Sequence, residues 1–523
     1  MRPELLARVR SGWTPVFTGT SARKAPIPIL LLLAVVLAPA LRADGGAPTR
    51  VFERSPCPFA LPAGIRVDCG FLVVPESRRE EDERRSRAPR TEIRIAVAIA
   101  RAPSGAPLAD PILYVTGGPS AAAITRGSFF YLSKLFFGAN RDLILVDQRG
   151  TGLSQPRLGC PEFDSLEASA FPNAPSRATY LASVRGCRDR LRAGGIDLDA
   201  YDSAENAADL DDLRVALGYD EWNVLGLSNG GLATLTLMRL HPEGIRSVVL
   251  DSPSSNDNLR VVDRWQATSR LLEKVFTGCA ADPVCAGRFG DVRSTFYGLL
   301  ETLRQNPVDV PIPNPAGGAS LTAHVTGDVL LSGASTLIFN PAALHSLPGT
   351  IFFAAHGGLV PVVRAAVGAP APSSAIFAYG KTLSTLCSDV IPFESRDDRT
   401  DAARALPEFR GLILDPDVLE PINRQACEVW DVPRAPAVQH HPVRSRIPTL
   451  ILSGEYDGVV SPDEGRRIAD SLRHGLFYQV PGVGHVVLGG TCASGIATQF
   501  LNSPESVPNT GCLSALPEIV FGH

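Results

Sequence analysis

Residues 222–231 read Trp222-Asn223-Val224-Leu225-Gly226-Leu227-Ser228-Asn229-Gly230-Gly231. A short apolar run of strand length enters a Gly-x-Ser-x-Gly turn, and Gly231–Leu240 continues with helical apolar spacing until His241-Pro242. A serine on such a tight strand-to-helix turn has its hydroxyl lifted above the sheet edge. Glycines at 226 and 230 remove side chains that would clash there. The Asn229 N–H, at the start of the helix, is positioned to donate to an oxyanion. The bare pattern also arises in plain glycine turns; the strand before it and the helix after it favour a reactive serine.

Working outward, short apolar runs alternate with helix-like segments, which predicts an α/β fold with a mostly parallel central sheet flanked by helices. Candidate strands are Thr91–Ala100, Ile112–Val115, Leu143–Val146, Asn223–Leu227, Ser247–Leu250, Thr449–Leu452 and Leu476–Val480. Asn206–Leu217 has helical spacing and stops at Gly218. The alternation breaks after Asp251. From about Asn256 to Val443 the chain carries helical stretches such as Val261–Phe276 and Val292–Gln305 and a Pro/Gly-rich segment, Asn306–Ala319; strand signals resume at Pro448. The expected organisation is a core in two parts, residues 44–255 and 444–523, interrupted by a mainly helical cap over 256–443.

A serine hydroxyl is a weak nucleophile without a base. On a strand–turn–helix nucleophile of this kind, an acid and then a histidine are expected on loops after later strands. Glu455-Tyr456-Asp457-Gly458 follows the Thr449–Gly454 strand signal, and Pro481-Gly482-Val483-Gly484-His485 follows the next strand. Asp457 is the expected acid and His485 the expected base; Glu455 and Asp251 are the competing carboxylates, and Asp457 is also read as an ordinary Asp-Gly turn former. A second oxyanion donor is expected from Gly117 and Gly118, in the turn Thr116-Gly117-Gly118-Pro119-Ser120 after an early strand. Asp147-Gln148-Arg149-Gly150-Thr151-Gly152 is expected to buttress this site. The adjacent His440-His441 pair has diverging side chains and no third ligand in sequence, so no metal is expected. No dinucleotide or phosphate loop stands in proper context, so no cofactor is expected.

The chain has 523 residues, enough for a core with a large insertion, and a net charge of -4 that draws it to no nucleic acid. The Arg78–Arg90 stretch interleaves its arginines with acids and reads as a solvated loop. At the N-terminus, Arg23 and Lys24 precede an apolar run from Ile27 to Leu41 with Ala38, Ala40 and Ala43 near its end. Residues 1–43 are therefore expected to be a signal peptide, an uncleaved anchor being the alternative, since a span needs about 20 uninterrupted apolar residues. A secreted or periplasmic protein follows, touching a membrane only during export. Ten cysteines, an even number, fit disulfides in an exported chain. One sequence does not fix their connectivity; the simplest assignment pairs neighbours in order, with Cys279–Cys285 the most natural pair.

Taken together, Gly117-Gly118-Pro119, the Asp147–Gly152 segment, Gly226-x-Ser228-x-Gly230, Asp457 and His485 resemble the proline iminopeptidase and tripeptidyl aminopeptidase group of α/β-hydrolases. Cys387-Ser388-Asp389 and the late cysteines Cys492 and Cys512 resemble its secreted tripeptidyl-aminopeptidase branch. The resemblance implies a serine hydrolase with the α/β-hydrolase fold and a helical cap, removing residues or short peptides from peptide N-termini through an acyl-enzyme. The chain departs from the group at Thr116 and Ser120, where histidine and glycine are usual, and at Asn229, where tyrosine is usual. An aminopeptidase also needs carboxylates for the substrate ammonium, for which Asp263, Glu273 and Asp389 are candidates. A carboxylic ester hydrolase with the same residues, and a non-catalytic binding protein on the same fold, are the alternatives.

Overall fold

The computed structural model describes residues 51–59, 64–79, 91–170, 173, 175–314, 317–338, 341–367, 377–414 and 423–521. The expected signal peptide lies outside the described residues. The main sheet is built from β1 (Val51–Ser55), β2 (Val67–Pro75), β3 (Glu92–Ala100), β4 (Leu108–Val115), β5 (Arg141–Val146), β6 (Trp222–Leu227), β7 (Ile245–Asp251), β10 (Thr449–Gly454) and β11 (Gly475–Val480). A separate hairpin holds β8 (Val308–Ile312) and β9 (Leu321–Val325).

The strand order is β1-β2-β3-β5-β4-β6-β7-β10-β11, antiparallel from β1 to β5 and parallel from β5 to β11. Strands β5, β6, β7 and β10 are almost wholly buried, since helices cover both faces. Alternate residues serve opposite cores. Leu225, Val249 and Leu450 pack with helices Arg126–Ala139 and Thr491–Asn502. Val224, Val248 and Ile451 pack with helices Ser203–Ala216, Gly230–Leu240 and Pro462–Ser471.

Residues between β7 and β10 are mainly helical and carry a hydrophobic cluster of their own around Trp265, Phe276, Phe296 and Phe409. The Pro/Gly-rich segment is not without strand: Val310 and Ile312 alternate into that cluster and form β8. Pro311 is accommodated because a two-stranded ribbon has only edges. The second half of the insertion instead joins helices that precede β6. Leu383, Leu386 and Trp430 pack with Leu158, Tyr180, Val184 and Leu191. The described residues accordingly form one compact unit.

Arg78 and Arg79 are half-buried and held by acids, a more fixed arrangement than the solvated loop expected of the charged stretch. Arg78 donates to Glu205, Asp209 and Asp212, and Arg79 donates to Asp202 and the Asp199 carbonyl. Acids on helix Ser203–Ala216 and the turn before it capture these guanidiniums; the rest of the stretch, 80–90, lies outside the described residues. Disulfides join Cys57–Cys69, Cys160–Cys187, Cys279–Cys285, Cys387–Cys427 and Cys492–Cys512. This is the neighbour-in-order pattern.

Candidate active site

Ser228 stands at the end of β6 with φ +52°, a left-handed conformation that a non-glycine residue holds only when its surroundings enforce it. The enforcement is visible. The Ser228 N–H donates to the Asp251 carbonyl at 2.9 Å, and its own carbonyl accepts from Gly231 and Ser254 at 2.8 and 3.0 Å. A Cβ on Gly230 would lie 2.2 Å from the Val115 carbonyl, so only glycine lets the turn close against β4.

The structure brings the three expected residues into one hydrogen-bonded run. His485 Nε2 lies 3.0 Å from Ser228 Oγ, and His485 Nδ1 lies 2.8 Å from Asp457 Oδ2. The other Asp457 oxygen accepts from Val459 N and Val460 N, each at 2.9 Å, which fixes the carboxylate plane. Burial disfavours the imidazolium, but the Asp457 charge and hydrogen bond, helped by Asp251 and Glu464, outweigh it and raise the His485 pKa above its ordinary value.

The competing acids are engaged elsewhere. Glu455 pairs with Lys274 Nζ at 2.6 Å and accepts from Gly482 N. Asp251 accepts from Val487 N, Leu488 N and the Tyr131 hydroxyl.

Gly117 faces the serine: a Cβ there would sit 2.7 Å from the Leu227 carbonyl, 2.8 Å from Ser228 Cβ and 3.2 Å from Asn229 N. Gly118 follows at φ +74°. The buttressing segment holds this loop from behind. Gln148 Nε2 donates to the Thr116 carbonyl at 2.9 Å and is itself oriented by Asn206. Asp147 accepts from Ala123 N, Ile124 N and Leu153 N. Ser120, one of the departures from the related group, accepts from Thr382 Oγ1 at 2.6 Å and so ties the loop to helix Tyr379–Asp389 of the insertion.

Ser228 opens on a cavity of about 340 Å³ whose lining includes the apolar Phe377, Leu386 and Val459 and the polar Asn258, Asp263 and Glu464, with Arg264. Asp263 and Glu464 share one donor, Asn258 Nδ2, at 3.1 Å each. Burial, then the neighbouring Asp263, pushes the Glu464 carboxyl up to about 7. Burial raises Asp263 as well.

Of the three carboxylates singled out in the sequence, only Asp263 lines the cavity. Glu273 pairs with Arg293 and Tyr297. Asp389 is buried and accepts from Ser203 N. Glu464 was missed, because an acid in the first turn after Ser461-Pro462 reads as an ordinary helix start. His440 stacks on Phe393, with ring centroids 4.3 Å apart.

A sequence profile described as alpha/beta hydrolase fold matches residues 110–282, and one described as TAP-like protein matches residues 420–512. Serine protease Hip1 of Mycobacterium tuberculosis is 23% identical over 518 residues, covering 92% of this chain and 95% of that protein. The tripeptidyl aminopeptidase of Streptomyces coelicolor is 27% identical over 276 residues, 49% of this chain and 48% of that one. A probable proline iminopeptidase of the same organism is 24% identical over 198 residues, 38% and 50% of the two chains. By its sheet order and these matches, the chain has the alpha/beta hydrolase fold and is a hydrolase similar to the serine peptidases of that fold.

Proposed function

We propose that the chain is an exported serine peptidase that releases residues or short peptides from the amino end of small peptides. The observation that carries this reading is the run Ser228–His485–Asp457 opening on a cavity also lined by two carboxylates, the buried Glu464 and the half-buried Asp263. Residues 44–255 and 444–523 supply the reacting groups, and the insertion 256–443 caps the cavity and selects substrate. The five disulfides fit an extracellular or periplasmic protein. Among the described residues no single helix is long and apolar enough to cross a membrane.

In this reading His485 carries its proton on Nδ1, held by Asp457, and uses Nε2 to take the Ser228 proton as Oγ attacks the peptide carbonyl. The oxyanion receives the Asn229 N–H and those of the Gly117–Gly118 loop. His485 returns the proton to the leaving amine, and water then hydrolyses the acyl-enzyme by the same route. The charge of Asp263 raises the Glu464 carboxyl beside it, and a substrate ammonium bound at this pair would offset that repulsion. That feature favours the peptidase over a carboxylic ester hydrolase, which needs no cation site.

The test is a matched panel of free-amine aminoacyl and tripeptidyl amides, their N-blocked forms and short acyl esters, with Ser228→Ala and Glu464→Gln. The expected result is turnover of free-amine amides that Ser228→Ala abolishes. Glu464→Gln should weaken it roughly ten- to hundredfold, as for one charged hydrogen bond. Turnover of esters alone would reject the peptidase and keep the triad. No turnover and no fluorophosphonate labelling of Ser228 would point to the binding protein.

A further inference from the structure

Asp251 ends β7, the strand beside the nucleophile strand, and it touches both halves of the reaction centre. Its carbonyl accepts the Ser228 N–H at 2.9 Å. Its fully buried carboxylate accepts Val487 N at 2.9 Å and Leu488 N at 2.9 Å, and receives the Tyr131 hydroxyl. That hydroxyl also accepts from Leu488 N at 3.1 Å, so Tyr131, Asp251 and Leu488 close a small ring of hydrogen bonds. The next residue, Ser252, takes Val486 N on its hydroxyl at 3.1 Å.

Three successive amides after His485 are thus tied to two residues at the end of one strand. The tie is made under strain: Val486 has φ +65° and Ser252 φ +49°. A β-branched residue adopts that region only where its surroundings hold it. Val487 N reaches one carboxylate oxygen, while Leu488 N and the Tyr131 hydroxyl reach the other, an arrangement that a side-chain amide with a single accepting oxygen does not reproduce. A buried carboxylate costs more in desolvation, and burial does push the Asp251 carboxyl up. What the carboxylate adds is a negative charge near His485, together with Asp457 from the end of β10 and Glu464 from the following helix.

We propose that Asp251, supported by Tyr131, is a positioning residue that holds the Ser228 turn through its backbone and the His485 loop through its carboxylate. This rests on the serine-hydrolase reading above. Asp251 does not take the place of Asp457 at Nδ1; it sets where the imidazole stands relative to the serine and adds to the field that favours its protonated form.

The experiment compares the mature protein with Asp251→Asn, Tyr131→Phe and Ser228→Ala for kcat, KM, the pH profile of kcat/KM and thermal unfolding. In Asp251→Asn, kcat should fall on the order of 10²-fold with KM nearly unchanged, the size of effect that a misplaced catalytic group produces. The acid limb of kcat/KM should move to lower pH, because a charge favouring the imidazolium is lost while Asp457 and Glu464 remain. Tyr131→Phe keeps the ring and should lower kcat in the same direction by a smaller factor. A folded Asp251→Asn with parental kcat and an unmoved acid limb would overturn the proposal. If that variant does not fold, a folded Tyr131→Phe with parental kcat overturns it equally. Turnover retained in Ser228→Ala would remove the underlying reading, a different result from full activity in the other two variants.

Discussion

Gly117→Ala is the perturbation that most directly probes the oxyanion role proposed for the Thr116–Ser120 turn. The added methyl would start 2.7 Å from the Leu227 carbonyl oxygen and 2.8 Å from Ser228 Cβ. Neither neighbour is the end of a flexible side chain; one is backbone and the other belongs to the nucleophile. Restoring an ordinary carbon–carbon separation of about 3.5 Å requires a movement of roughly 0.7 Å between loop and serine. The serine is the less mobile partner, since its turn is tied to Asp251, Gly231 and Ser254. The loop should therefore yield and carry its N–H groups away from the oxyanion. Loss of one such donor costs about 10²–10³ in kcat. Overpacking of this kind costs about 1–3 kcal/mol of stability, so the variant should still fold.

The assay is steady-state hydrolysis of the best amide in the panel, with the rate of fluorophosphonate labelling measured in parallel, since phosphylation uses the same donors. Both should fall by comparable factors while KM changes little. A Gly117→Ala protein with kcat within about threefold of the parent and a normal labelling rate would refute the assignment of this loop to the oxyanion.

Asp457→Asn should lower kcat by about 10²–10⁴-fold and shift the acid limb of kcat/KM below that of the parent, because Asp457 is the main group raising His485; a pH–rate series reads both. Buried Asp389 is pushed up to about 7 by desolvation and by Asp202. Its stability contribution is therefore complete below its ordinary carboxylate range and lost as pH rises through about 7, so Asp389→Asn should gain in Tm relative to the parent at pH 8 compared with pH 5. Replacing Cys387 and Cys427 by serine opens a link across a separation of 40 residues and should cost about 4 kcal/mol, against about 2 kcal/mol for Cys279 and Cys285 with a separation of 6; denaturant titration of the two double variants tests the order.

The central strands were legible because their burial on both faces writes an unbroken apolar run, as in Asn223–Leu227 and Thr449–Leu452. Strands β1 and β2 were not, since Val51–Ser55 is an exposed edge and Val67–Pro75 is only half-covered, so neither is apolar throughout. Ser228, Asp457 and His485 were findable from their places after strands, because a loop after a strand has little freedom in where it ends up. Asp263 could be named as a candidate but not located. Glu464 carries no local signal at all, as only the packing of helix Pro462–Ser471 against the Ser255–Asp263 segment turns a helix-start acid into a buried cavity wall. Arg78 and Arg79 looked solvated because their acid partners lie more than a hundred residues away in the chain.

The pairing of each cysteine with its successor bears on how the chain acquires its covalent form. A polypeptide emerging amino end first presents Cys57 and Cys69 before Cys160 has appeared, and so on to Cys492 and Cys512. Each bridge can close as soon as its second thiol is exposed, and no correct bridge waits on a cysteine beyond the next one. Oxidation in order of emergence therefore yields the native set directly, without the slow thiol–disulfide exchange that interleaved pairs demand.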